Sequence, residues 1–159
     1  MKITFLTVGK LKEKYIKEAV NEYVKRLSKY VKFNIVEVMD EQTREKMSHT
    51  EKQVILEVEG ERILKCIKES GYVIATAISG VQLDSIELAQ KIERIAVDGY
   101  SHIYFVIGGS LGLSLTVTNR ADFVLSISKM TFPHQLMRVI LAEQVYRAFR
   151  INNGEPYHK

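Results

Sequence analysis

Tyr72-Val73-Ile74-Ala75-Thr76-Ala77-Ile78 is a continuous apolar run, rich in β-formers and without the alternation of a half-wet strand. Such a run suits a strand covered on both faces, the situation in a parallel sheet flanked by helices. A second run, His102-Ile103-Tyr104-Phe105-Val106-Ile107, leads into Gly108-Gly109-Ser110-Leu111-Gly112. Between the two, Asp84 or Ser85 offers a helix cap. Ile86, Leu88, Ala89, Ile92, Ile95 and Ala96 then recur at helical spacing until Gly99 ends the helix. The unit reads as strand, crossover helix, strand.

The same alternation extends outward in both directions. Residues 2–8 read as a first strand. Leu11, Tyr15, Ile16, Ala19, Val20, Tyr23, Val24 and Leu27 mark an amphipathic helix, and Val31, Phe33 and Ile35 a second strand. A polar stretch from Met39 to Thr50 reads as a long loop. The helix after it is expected to reach about Ser70, with Val54, Val58, Ile63, Leu64 and Ile67 inward. Beyond Gly112, a short helical piece precedes a strand over Phe123-Val124-Leu125-Ser126-Ile127. A last helix opens near Pro133, with Met137, Ile140, Leu141, Val145 and Ala148 inward. Residues 151–159 form a polar tail. Five alternations predict an α/β fold, a mostly parallel sheet flanked by helices, as one domain over 1–159.

Composition narrows the function classes. The 159 residues are 46% apolar and 26% charged, as in an ordinary globular protein. No run of about 18 apolar residues is present, so no membrane span is expected, and the apolar start is too short for a signal peptide. Cys66 is the only cysteine, which leaves no disulfide and no multi-cysteine metal site and fits a reducing cytoplasm. His49, His102, His134 and His158 lie far apart without a His-Glu-x-x-His pair, so no metal is expected. No Gly-x-Ser-x-Gly elbow supports a serine nucleophile. The net charge of +4 is uneven: residues 1–32 balance at +6, 33–61 at −5, 62–128 at zero and 129–159 at +3. Two basic ends can present a positive face to phosphates, although Lys12, Lys14, Lys17, Lys25 and Lys29 also fit the wet side of a helix.

Three segments can carry chemistry. In an open parallel sheet, ligands bind beyond the carboxyl ends of the strands, where Gly108-Gly109-Ser110-Leu111-Gly112 falls. It lacks the Lys-Ser/Thr of a phosphate-binding loop and the spacing of a dinucleotide fingerprint, so a ligand loop and a tight turn both remain open. Ser126-Ile127-Ser128-Lys129-Met130-Thr131-Phe132-Pro133-His134-Gln135 is delivered to the same edge. It offers hydroxyls, and Pro133 pre-sets the helix start; His134 reads as a helix-start residue rather than a catalyst. The tail, Gly154-Glu155-Pro156-Tyr157-His158-Lys159, preceded by Arg147 and Arg150, combines an aromatic, an imidazole and cations. Termini are usually disordered, yet this mixture can stack a base, contact phosphate and move a proton.

Taken together, Thr7-Val8-Gly9-Lys10-Leu11, Phe105-Val106-Ile107-Gly108-Gly109-Ser110, Met130 through Arg138, and Glu143 through Ala148 with Pro156-Tyr157-His158-Lys159 closely resemble the 23S rRNA pseudouridine-N3 methyltransferases of the SPOUT superfamily. The resemblance covers the whole chain. It implies an α/β fold with a C-terminal trefoil knot, a homodimer, and S-adenosylmethionine held by Thr76, Gly108, Ile127, Ser128, Lys129, Met130, Thr131 and Phe132. It also implies a pseudouridine substrate in 23S rRNA within the assembled ribosome. Arg138, Arg147, Arg150 and Lys159 are the candidate RNA contacts, and His158 with Tyr157 the candidate catalytic pair. The family commonly has Leu-Asp or Leu-Glu, two further residues and then a glycine at the end of the third strand. This sequence has Thr76-Ala77-Ile78-Ser79-Gly80, so Thr76 would serve through its backbone.

A sulfonium methyl donor is already electrophilic and requires no metal. The protein must align the methyl carbon with N3 and help remove its proton, and the tail is expected to reach the cofactor pocket of the partner subunit. The competing readings are a SPOUT methyltransferase with another RNA target and a ribosome-binding factor without enzymatic activity.

Overall fold

Helix and strand alternate along residues 1–157, which the computed structural model describes. The elements are β1 (Lys2–Val8), α1 (Lys14–Leu27), β2 (Lys32–Val38), α2 (His49–Leu64), β3 (Tyr72–Gln82), α3 (Ser85–Val97), β4 (His102–Ile107), α4 (Leu115–Arg120), β5 (Phe123–Ser126) and α5 (His134–Asn152). The strands form one sheet in the order β2-β1-β4-β3-β5, and each ladder is parallel. The apolar runs have the predicted cause. Ile3, Phe5, Ile103, Phe105 and Ile107 pack with residues of α1, α3 and α5, whereas Leu6, Val8, Tyr104 and Val106 pack with α2 and α4. With both faces dry, the central strands need no polar alternation.

β3 departs from this pattern in its outer half. Val73, Ile74 and Ala75 are buried, but Ile78 and Val81 are each 55% exposed. Thr76 and Val81 both pair with Leu125, so residues 77–80 leave the ladder as an inserted loop. Gly80 makes that possible, because a Cβ there would lie 2.7 Å from the Val124 carbonyl oxygen and the Leu125 carbonyl carbon.

Helix ends are set by local chemistry. Ser48 with Glu51, and Asp84 with Glu87, form complete capping boxes at the starts of α2 and α3. α2 stops at Leu64 rather than near Ser70, since Cys66 and Ile67 turn back onto Ile63 and Leu64. α1 begins at Lys14, not at Leu11, because residues 9–13 are tied to other elements. Tyr15 is 66% exposed, against the inward placement that its spacing predicts, because Ile16, Val20 and Leu27 set the buried face and Tyr15 lies about a quarter-turn or more away from it.

At the amino-terminal edge of the sheet, His102 stacks on Tyr104 and its Nε2 lies 2.9 Å from Thr4 Oγ1. The Thr4 hydroxyl donates to Asn34 Oδ1, so Nε2 is the donor in the histidine contact. Burial, assisted by Lys2 and Lys68, pushes His102 down to about 4. The unfolded chain therefore binds a proton here that the folded chain refuses. Stability from this site is complete above about pH 6.5 and is lost as pH falls toward 4, by at most about 3 kcal/mol. Thermal melts between pH 7 and 4 should fall steeply for the natural chain. His102→Gln should flatten that slope; an unchanged slope would rule out His102 as its source.

Candidate functional site

The carboxyl ends of β3, β4 and β5 open onto a cavity of about 640 Å³, within the usual range for a small-molecule site. Three pieces of chain wall it: Thr76-Ala77-Ile78, residues 107–112, and most of the stretch from Leu125 to His134, with Met137 behind.

The 108–112 wall folds back on itself. Gly112 N–H donates to the Gly109 carbonyl at 3.1 Å, and the two residues form an isolated antiparallel bridge. Gly112 takes a φ of +87°, and Gly108 packs directly against the Gly112 backbone. The turn and the ligand wall are therefore one structure, and the glycines are required by both. Behind it stands Glu59 of α2, 5% exposed, whose Oε1 accepts the Glu41 amide at 3.0 Å. Burial, with Asp40 and Glu41 adding to it, pushes its carboxyl upward. Oε2 lies 3.5 Å from where a Cβ on Gly109 would stand. Nothing in the helical spacing of α2 marks a buried acid here.

The opposite wall is ordered by serine hydroxyls. Ser126 Oγ donates to the Ser128 carbonyl at 3.1 Å, and Ser128 Oγ accepts the Met130 amide at 3.0 Å. Thr76 Oγ1 donates to the Val106 carbonyl at 3.0 Å. Its hydroxyl locks β3 to β4, and Ala77, where the family pattern has the acid, is a second wall residue without a charge.

Thr76, Gly108, Ile127, Ser128, Met130, Thr131 and Phe132 all line the cavity, whereas Lys129 is exposed and is not among its walls. His134, read from sequence only as a helix-start residue, is also a wall. Burial and the charges of Arg138 and Lys12, opposed by Asp40, hold its pKa below the usual range, so it is neutral at pH 7.

The candidate RNA contacts fare differently. Arg138 is the clearest correction: it is 1% exposed and cannot reach a phosphate. Nη1 donates to Glu37 Oε1 at 2.8 Å, and Nη2 donates to the carbonyls of Val8 and Gly9 at 2.9 and 2.7 Å. Its job is to bind the start of α5 to the end of β1. Arg147 pairs with Glu143 at 2.6 Å, and Arg150 pairs with Glu155 and donates to Tyr30 Oη. Both retain some exposure, but their charges are partly answered within the chain.

Tyr157 does not enter the cavity of its own subunit. It packs edge-on against Tyr146 at 5.0 Å, donates to Glu143 Oε1 at 3.2 Å, and lies under the Arg147 guanidinium at 4.6 Å. Burial, with Tyr23 and Glu143 nearby, pushes the phenol up to about 12. The candidate base His158 and the candidate RNA contact Lys159 lie outside the described residues.

Comparison with known proteins bears on the cavity directly. The family model described as "Predicted SPOUT methyltransferase" matches residues 1–158. This chain belongs to the SPOUT methyltransferase family. Its relatives include the "Ribosomal RNA large subunit methyltransferase H" of Clostridium acetobutylicum, 59% identical, and that of Bifidobacterium adolescentis, 58% identical. The "Putative ribosomal RNA large subunit methyltransferase H" of Methanococcus maripaludis is also 58% identical. Each match spans 159 residues and the full length of both chains. A methyltransferase needs a site for a methyl donor, and the cavity at the carboxyl edge is where a parallel sheet offers one. Among the described residues, no helix is long and apolar enough to cross a membrane.

Proposed function

We propose that this methyltransferase takes its methyl group from S-adenosylmethionine and transfers it to N3 of a pseudouridine in 23S rRNA. On this reading it works as a cytoplasmic homodimer acting on the assembled ribosome. The observation that carries the proposal is the make-up of the cavity. Ile107, Leu125, Ile127, Met130 and Phe132 supply apolar walls for a flat heterocycle, and Ser110, Ser126, Ser128 and Thr131 supply hydroxyls. Gly108 and Gly109 let the turn pack tightly on Gly112 and Val8, which sets the shape of the wall. No Asp or Glu lines it, so the site suits a ligand held by backbone, hydroxyl and dispersion contacts. The full-length relatives named as large-subunit rRNA methyltransferases support the substrate.

When bound, the sulfonium supplies an electrophilic methyl carbon. The chain's own work is positioning and proton removal. The two loops fix the donor's orientation while the apolar walls exclude water. The N3 proton must go to a base, and a neutral imidazole at His158 from the partner's tail suits that role. Tyr157, with its proton held up to about 12, is a phenol and therefore a hydrogen-bond donor and stacking surface rather than a base. The C-terminal trefoil belongs to the same proposal, as the family's fold.

Two measurements test this reading. Titration calorimetry should register binding of S-adenosylmethionine. Ribosomes from a deletion strain should gain one methyl group on a pseudouridine, located by mass spectrometry, with free rRNA and separate subunits as controls. Absence of binding heat, or a methyl group on another nucleotide, would overturn it.

A further inference from the structure

The segment from Gly9 to Glu13, between β1 and α1, leaves the sheet beside the end of β4, since Thr7 pairs with Ile107. It has no regular secondary structure but is fastened at nearly each residue. Gly9 N–H donates to the Val38 carbonyl at 2.8 Å. The buried Arg138 donates to the carbonyls of Val8 and Gly9. Leu11 N–H donates to Glu37 Oε1 at 3.2 Å, the same oxygen that receives Arg138 Nη1. Lys12 N–H donates to Gln135 Oε1 at 3.2 Å. The anchors on α5, Gln135 and Arg138, alternate with His134 and Met137, which line the cofactor cavity.

Burying a guanidinium against one partly exposed carboxylate and two carbonyls carries a desolvation cost that stability alone does not require. Its product is a rigid loop that turns Lys10, Lys12 and Lys14 outward. Lys14 is shared with Glu18 at 3.8 Å. Among the described residues, Lys10 and Lys12 belong to no salt bridge. Lys12 is close enough to lower the pKa of His134 on the cavity wall. Of the acids close by, Glu37 is already engaged by Arg138 and the Leu11 amide, Glu13 follows Lys12 on the exposed chain, and Asp40 sits behind Gly9, its Cγ 3.4 Å from where a Cβ would stand.

We propose that Lys10 and Lys12 form a phosphate-binding rim of the cavity, holding the RNA backbone that flanks the nucleotide to be methylated. The inference rests on the RNA-methylating reading above and adds the surface on which that RNA lies. It also gives the buried Arg138 its part: the arginine touches no phosphate but fixes the two lysines that do.

The test is Lys10→Gln/Lys12→Gln in the full-length protein, with Lys25→Gln/Lys29→Gln at the far end of α1 as a control for charge alone. Enzyme–ribosome binding is measured directly by co-sedimentation across a salt series, alongside methylation kinetics and calorimetry with S-adenosylmethionine. Losing two phosphate contacts should make the slope of log affinity against log salt shallower by roughly 1.4–1.8 and raise KM for ribosomes by about 10-fold or more near physiological salt. The kcat, cofactor affinity and melting temperature should stay as they are, Lys10→Arg/Lys12→Arg should restore binding, and the control pair should change it much less. An unchanged salt slope, or an equal effect from the control pair, overturns the proposal. So does a fall in cofactor affinity, which would mean that the lysines serve the donor's carboxylate. Because ribosome binding is read without turnover, failure of the methylation reading itself shows separately, as natural protein that binds but transfers nothing.

Discussion

Gly108→Ala is expected to abolish cofactor binding while leaving most of the fold in place. A Cβ at this position would lie 2.5 Å from the Gly112 carbonyl carbon and 3.0 Å from its Cα, with the carbonyl oxygen closer still. These are backbone atoms, so no side-chain rotation relieves the clash, and the 108–112 turn must open. The turn is itself the cavity wall, and opening it removes the surface against which the donor lies. Cofactor affinity should fall at least about 100-fold, equivalent to roughly 2.7 kcal/mol. The sheet core lies on the other side of Ile107 and does not depend on the turn, so the melting temperature should drop by only a few degrees. Gly99→Ala supplies the contrast. Gly99 has a φ of +92° with nothing within 4 Å of an added Cβ, so the variant stores strain of about 1–2 kcal/mol without touching the cavity. It should lower the melting temperature and leave cofactor affinity alone. Calorimetry and thermal unfolding of the two variants separate turn strain from site damage; natural affinity in Gly108→Ala would refute the cavity as the cofactor site.

The sequence made the fold legible wherever the signal was periodic and local. The unbroken apolar runs at Tyr72 and His102 reported strands covered on both faces, and the Asp84–Glu87 box marked a helix start. Where a residue's role depends on partners far along the chain, periodicity misled. Arg138 is a lone charge in a helix start, which reads as surface, yet its partners are Glu37, Val8 and Gly9, about a hundred or more residues away. Tyr15 has a spacing from Leu11 that suggests an inward residue, but α1 buries Ile16, Val20 and Leu27 and turns Tyr15 to the water. Glu59 is hidden for the same reason, because only tertiary packing places an acid beneath Gly109. The cavity was largely readable, since both of its loops follow directly from strands whose direction was known. Lys129 was the exception: an outward turn at Ser128–Met130, closed by the serine hydroxyl, points it away from the walls that its neighbours form.

The same division between local and distant contacts governs the tail. Removal of residues 157–159 should reduce methyl transfer by about 10³-fold or more, the combined size of a lost general base and lost alignment, while cofactor affinity changes less than about threefold. Tyr157 leans on Glu143 and Tyr146, and Tyr146 lies about 18 Å along α5 from the cavity wall at His134. In that position Tyr157 does not line the cavity of its own chain, and the proposed homodimer would let the tail serve the partner's. Losing the Tyr157 ring also removes its contacts with Tyr146 and Arg147, so a small drop in melting temperature is expected and does not bear on catalysis. The decisive form of the experiment mixes two inactive chains. A tail-deleted subunit keeps its cavity, and a Gly108→Ala subunit keeps its tail. If the tail acts across the dimer, each mixed dimer contains one complete site, the intact cavity of the first chain completed by the tail of the second; since about half the dimers of an equal mixture are mixed, activity returns toward roughly a quarter of the natural level. If the tail acts within its own chain, no combination assembles a complete site and the mixture stays inactive. Full activity in the deletion alone would remove the tail from the mechanism altogether.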